Sequence, residues 1–122
     1  MITETRKQLG ILCRSKKTRR LGSFPSEPCD WRPRTVKVPG PPGSKDVFTD
    51  AGAWEFIGAC LANHALEMTD KILDNPPGKK AYVFKVVGQD DEIIYIKIHF
   101  GGNKVVGRSF HVSEEKKKGK RI

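Results

Sequence analysis

The stretch that most constrains this chain is residues 93–100, Ile-Ile-Tyr-Ile-Lys-Ile-His-Phe, where apolar and polar side chains alternate. A period of two belongs to a β-strand, because successive side chains leave opposite faces of the backbone. Ile94, Ile96, Ile98 and Phe100 make an apolar face, and Tyr95, Lys97 and His99 point the other way. Such a strand needs a core against one face only. Its other face carries a phenol, an ammonium and an imidazole.

The neighbouring residues extend this strand into a three-stranded antiparallel meander over residues 80–113. Tyr82, Phe84 and Val86 alternate in the preceding strand, and Gly-Gln-Asp-Asp at 88–91 turns the chain. Gly-Gly-Asn at 101–103 predicts a hairpin with a three-residue loop. That loop sets Phe100 opposite Lys104, Lys97 opposite Gly107, Tyr95 opposite Ser109 and Phe110 opposite Ile94. A two-residue loop at Gly102 and Asn103 would slip the pairing by one and mix the faces. In the expected register Tyr95, Lys97, His99, Ser109 and His111 share the polar face, and Lys85 joins them by parity. Gly107 is a candidate bulge, and Arg108 falls on the apolar face without a reason for being there.

Upstream, Thr49 or Asp50 can cap a helix, since a short polar side chain satisfies an orphan N–H of the first turn. Ala53, Trp54, Ile57, Cys60 and Leu61 give it one apolar stripe, and it is expected to end near Asn63 and His64. Residues 66–73 set Leu66, Met68 and Ile72 between polar neighbours and read as a strand, followed by a turn at the Asn-Pro-Pro-Gly of 75–78. Residues 1–47 show no sustained periodicity. They hold a basic run at 14–20, a proline-punctuated stretch at 24–33, a short edge strand at 34–38 and a Pro/Gly linker at 39–44. The first 21 residues are expected to be disordered, or to form a helix that orders on a partner. The expected fold is α+β: one main helix packed on a roughly four-stranded antiparallel sheet. A basic, irregular N-terminal arm (1–47) precedes this domain (48–113), and a basic tail (114–122) follows it.

Charge is distributed on the same plan. Residues 1–47 carry 11 Lys/Arg against 4 Asp/Glu, residues 48–113 carry 7 against 8, and residues 114–122 carry 5 against 2. Basic arms around a near-neutral domain meet phosphate backbones, releasing condensed counterions, or simply keep a protein soluble. No apolar run approaches the ~18 residues of a membrane span, so neither a span nor a signal peptide is expected. Cys13, Cys29 and Cys60 are odd in number and fit no zinc-ligand spacing, which points to reduced thiols in a cytoplasm.

The polar face has the groups for cutting RNA without a metal. One group must take the proton from the ribose 2′-OH, another must protonate the leaving 5′-oxygen, and a cation must stabilise the phosphorane-like transition state. His111 is the candidate general acid or base, Tyr95 a proton donor or orienting group, and Lys97 with Lys80 the cations. Lys85, His99, Ser109 and Arg108 are candidates for holding the substrate. The face has no carboxylate pair for magnesium. Nor does the chain contain a P-loop, a dinucleotide fingerprint or a Ser-His-Asp set.

One helix followed by strands, with Tyr-Ile-Lys-Ile at 95–98 and Ser-Phe-His at 109–111, resembles the RelE-like mRNA interferase toxins, closest to the MqsR-type toxins of bacterial toxin–antitoxin systems. The resemblance covers roughly residues 53–113, about half the chain. It implies a sequence-selective endoribonuclease that needs no cofactor, with a cognate antitoxin encoded nearby. By motif, the family's site tyrosine and basic residue fall on Tyr95 and His111, and a polar residue near the start of the preceding strand falls most loosely on Lys80. Members of the family end the last strand in lysine where this chain has His111, which leaves the acid and base roles open. Two other readings of the same residues are a non-catalytic nucleic-acid-binding module and an adaptor whose arm folds on another protein.

Overall fold

The computed structural model describes residues 2–23, 25–40, 45–74 and 77–116. Its elements are α1 (Ile2–Cys13), β1 (Arg19–Leu21), β2 (Asp30–Trp31), α2 (Asp50–Ala62), β3 (Thr69–Ile72), β4 (Lys80–Val87), β5 (Glu92–Gly101) and β6 (Lys104–Lys116). The class is α+β, as expected, with two α-helices on one mixed sheet in the order β1-β6-β5-β4-β3. The expectation of one main helix on a roughly four-stranded antiparallel sheet is corrected: β3 to β6 are antiparallel, but the sheet has six strands and is mixed. Two further short strands, β1 and β2, lie parallel to β6 on its outer edge.

Helix α2 forms as its sequence dictates. Thr49 caps it, its hydroxyl accepting the Gly52 N–H at 2.9 Å, and Asp50 sits where the helix dipole favours an anion. Ala53, Trp54, Ile57, Cys60 and Leu61 are all buried, so the expected stripe is the packing face. It meets Phe84, Ile94, Ile96, Ile98, Val105 and Phe110 from the sheet. Trp31 stacks between Trp54 and Phe110, with ring centroids 5.1 and 5.6 Å away.

The expectation of an irregular N-terminal arm is corrected; of the two readings of the first 21 residues the helix holds, ordered on this chain's own core. Residues 2–13 are a helix that buries Arg6, Leu9 and Cys13 against the core, at helical spacings of three and four. A stripe with arginine as one member does not read as amphipathic, which is why periodicity missed it. Arg6 is only 4% exposed, and it donates to the carbonyls of Cys60 (3.3 Å), Leu61 (3.2 Å), Asn63 (3.1 Å) and Leu66. It thus serves the carbonyls at and just beyond the C-terminus of α2, that of Cys60 shared with the Asn63 N–H, where the dipole also favours a cation. The helix ends at Ala62, next to the Asn63 and His64 where its end was expected, and the cation at that end is Arg6, with His64 exposed.

Other expectations shift by smaller amounts. Residues 34–38 form no edge strand: Pro33–Thr35 is a 3-10 turn, and Lys37 makes an isolated antiparallel bridge to Val47. The strand expected over 66–73 is confined to Thr69–Ile72, with Met68 in the core but Ile72 59% exposed beyond the helices. The 41–44 part of the linker, Asn75 and Pro76 of the turn, and residues 117–122 of the tail lie outside the described residues.

The β5–β6 hairpin is the most instructive correction. Its loop is Gly102-Asn103, two residues and not three, with Gly102 at φ +65° and Gly101 opposite Lys104. By itself that loop would mix the faces. A bulge restores them: Ile98 pairs with Gly107, Lys97 with Ser109, and Arg108 is the extra residue between. Beyond the bulge Ile96 faces Phe110 and Tyr95 faces His111, so the two faces segregate as expected in a register shifted by two.

Candidate functional site: the uncovered face of the sheet

Both helices pack on the face of Ile94, Ile96 and Ile98, which leaves the opposite face uncovered by helix, although the row of Ala81, His99 and Val106 at one end of it is fully buried. Cross-strand partners share a face, so the register defines what the other one carries. One row runs Asp30, Ser109, Lys97, Val83 and Thr69, and the next runs His111, Tyr95 and Lys85. Tyr95, Lys97 and His111 are half-buried, Lys85, Thr69 and Asp30 are exposed, and Ser109 and Val83 are buried at 6% exposure each. The five residues brought together as expected are therefore Tyr95, Lys97, Ser109, His111 and Lys85.

His111 is held from three sides. Its ring lies 5.6 Å from that of Tyr95, centroid to centroid, at 31°. Its Nδ1 is 3.0 Å from the Val112 carbonyl, an acceptor, so the neutral ring carries its proton on Nδ1 and leaves a lone pair on Nε2. That Nε2 stands 3.4 Å from Oδ2 of Asp30, which can stabilise the ring once it is protonated. Arg32 in turn fixes Asp30 through two bonds, at 2.7 and 3.0 Å. The outcome is an imidazole whose Nε2 faces the Asp30 carboxylate across 3.4 Å and whose orientation is fixed from the Nδ1 side.

Asp30 was not anticipated. It sits in the proline-rich stretch whose local pattern says only "not helix", and the parallel pairing of β2 with β6 carries it to the site. Nothing local in the sequence announces that pairing.

Lys97 lies between this pair and the middle of the sheet. Burial pushes its ammonium below the usual lysine range, and the nearby charges of Lys71 and Arg108 act in the same direction. Among the described residues it forms no salt bridge. A desolvated cation among like charges is a site that an anion would relieve.

Three expected site residues are placed differently. His99 is fully buried: its Nδ1 bonds the Phe100 carbonyl at 2.9 Å and its Nε2 accepts from Arg108 at 3.0 Å. Burial lowers its proton affinity, so it is a neutral internal acceptor and no substrate ligand. The bulge takes Arg108 off the apolar face, which resolves its awkward place in the expected register, and leaves it 3% exposed. Its Nε donates to the Pro28 carbonyl at 2.7 Å, tying the segment between β1 and β2 to the sheet. In that segment Glu27 takes two bonds from Arg20, at 2.7 and 3.0 Å, and this partner holds its carboxyl down to about 2. Lys80 shares parity with Tyr82 and Phe84, so it lies on the helix side of the sheet, 3.5 Å from Asp70.

Among the described residues no group of three or more His, Cys, Asp or Glu is arranged to hold a metal. The thiols of Cys13 and Cys60 are buried and pushed up to about 12, which makes them inert core groups. No described helix is long and apolar enough to cross a membrane. Compared with protein-family models, curated proteins and solved structures, the chain matches none.

Proposed function

We propose that the uncovered face binds single-stranded RNA and cleaves it without a metal, in the manner of the RelE-like, MqsR-type interferase toxins. The observation that carries the reading is the adjacency of two cross-strand pairs, Tyr95–His111 and Lys97–Ser109. The first pair offers a base and an acid, and the second a cation that lacks a carboxylate. In the reaction, Nε2 of His111 takes the proton of the 2′-OH, and the freed oxygen attacks the adjacent phosphorus. The bond from phosphorus to the 5′-oxygen breaks, and that oxygen takes a proton from Tyr95. Lys97 neutralises the charge gathering on the equatorial oxygens. Ser109, buried beside Lys97 in the same row, supports that lysine from below, and exposed Lys85 extends the track for the RNA backbone.

The reading brings with it the rest of the family's setting: no cofactor, a cognate antitoxin encoded nearby and a cytoplasmic location. A second reading, a non-catalytic RNA-binding face, is favoured by the lysines Lys71 and Lys85, exposed on either side of the site. Cleavage of a long single-stranded RNA in EDTA, with wild type and His111→Ala compared, separates the two. Cuts at defined positions by the wild type alone support the nuclease. Binding by both proteins with cutting by neither replaces it with the binding module.

A further inference from the structure

Across the sheet from that face, α1 and α2 leave a groove of about 880 Å³ between their outer surfaces. One wall is the helical face of Lys7, Gly10, Ile11 and Arg14, and the other that of Ala51, Glu55, Gly58 and Ala62. A glycine sits midway along each wall. A methyl group added at either would meet nothing within 4 Å, so packing inside this chain does not call for them. Glycine weakens a helix interior, yet it lets a third backbone come close. Ile11, on the same wall, is 52% exposed. The rim is basic: Lys7, Arg14, Lys16 and Arg19 stand against Glu55 alone among the acidic residues that line it.

We infer that this groove docks an acidic, amphipathic helix of a partner protein, with small apolar side chains turned inward and carboxylates toward the rim. Charge complementarity selects the occupant. A second copy of a chain with net charge +9 would set like charge against like. A phosphate backbone would also be drawn to the basic rim, but Gly10, Ile11, Gly58 and Ala62 between the charges offer it no polar partner, and bases would find little to stack on. Trp54, the one aromatic in the lining, is 6% exposed and lies under the Arg19 guanidinium at 5.7 Å. Two parallel walls with small residues at their centres suit a helix laid in a groove. The site is independent of the nuclease reading and can be occupied while RNA is bound.

The test is a titration of the isotope-labelled full chain, followed by amide chemical shifts. The probe is a synthetic helix of about 16 residues, built of Glu, Leu and Ala with Glu on one face, long enough at about 1.5 Å per residue to run the length of α2. Shifts confined to residues 7–14 and 51–62, with a dissociation constant below about 1 mM, are expected. The double variant Gly10→Leu/Gly58→Leu fills the groove with better helix formers, so it folds with an unchanged or higher melting temperature while weakening the peptide at least about tenfold. Lys7→Glu/Arg14→Glu weakens it similarly by charge alone. No shift at about 1 mM peptide, or equal affinity in the groove-filled and charge-reversed variants, overturns the inference. So does displacement of the peptide by an RNA oligomer, which would make the groove a nucleic-acid site.

Discussion

Replacing Arg6 with alanine tests whether α1 belongs to the folded domain. The guanidinium serves four carbonyls, of which those of Cys60 and Leu61 are buried bonds and those of Asn63 and Leu66 are partly open to water. Leaving a buried acceptor without a donor costs about 1–3 kcal/mol. The Cys60 carbonyl keeps the Asn63 N–H at 3.2 Å, so the Leu61 carbonyl carries that cost, and the two bonds partly open to water add about 0.5–1 kcal/mol each. Losing a cation at the helix C-terminus adds about 0.5 kcal/mol, while returning the charge to water in the unfolded chain no longer counts against folding. A net loss of about 2–3 kcal/mol follows, or a fall in melting temperature of about 6–12 °C at this chain length. Denaturant unfolding reads it as a lower midpoint with an unchanged slope. Arg6→Lys keeps the charge but not the planar fork, and it should fall between wild type and Arg6→Ala. A loss below about 1 kcal/mol for Arg6→Ala would mean that residues 2–13 add little to the fold, and the reasoning would fail.

Three further perturbations separate structure from function. Gly107→Ala would put a methyl group 2.5 Å from Cζ3 of Trp31, so it should destabilise by about 2–3 kcal/mol in the same assay and move the Trp31 fluorescence. His99 binds protons less readily folded than at its ordinary 6.5, so below that pH the unfolded chain holds the extra proton and wild-type stability should decline on acidification. His99→Gln should flatten that decline, as followed by melting temperature from pH 7.5 to 5.0; an unchanged slope would count against a neutral His99. Lys97→Met removes a cation that burial already disfavours, so its melting temperature should be unchanged or higher while RNA affinity falls and the salt dependence of binding loses about one unit of slope.

How far the sequence reaches depends on the range of the interaction that decides each element. The alternation of β5 and the stripe of α2 are local patterns with one buried face, and both elements lie where those patterns put them. The separation of Tyr95, Lys97, Ser109 and His111 from the core was legible for the same reason. Helix α1 was not, because its buried face includes Arg6, whose reason for being inside is a set of carbonyls some 55 residues away. The hairpin shows two departures that compensate, a shorter loop and a bulge at Arg108, so the faces were right although the partners were wrong. Asp30 and the inward turn of His99 depend on the edge strand and on the segment tied down by Arg108, which are contacts between distant parts of the chain. Side-chain alternation carries no record of those.

The ends left on a cleaved RNA report the chemistry of the uncovered face most directly. Purified protein in EDTA would be given a single-stranded RNA, and the same RNA with one 2′-deoxy sugar at the cut site, with the termini then identified by mass. Attack by the 2′-OH under His111 predicts a 2′,3′-cyclic phosphate and a 5′-hydroxyl, with no cut at the deoxy position. Termini carrying a 5′-phosphate, or cleavage that persists at the deoxy sugar, would contradict a metal-free site built on Tyr95, Lys97 and His111.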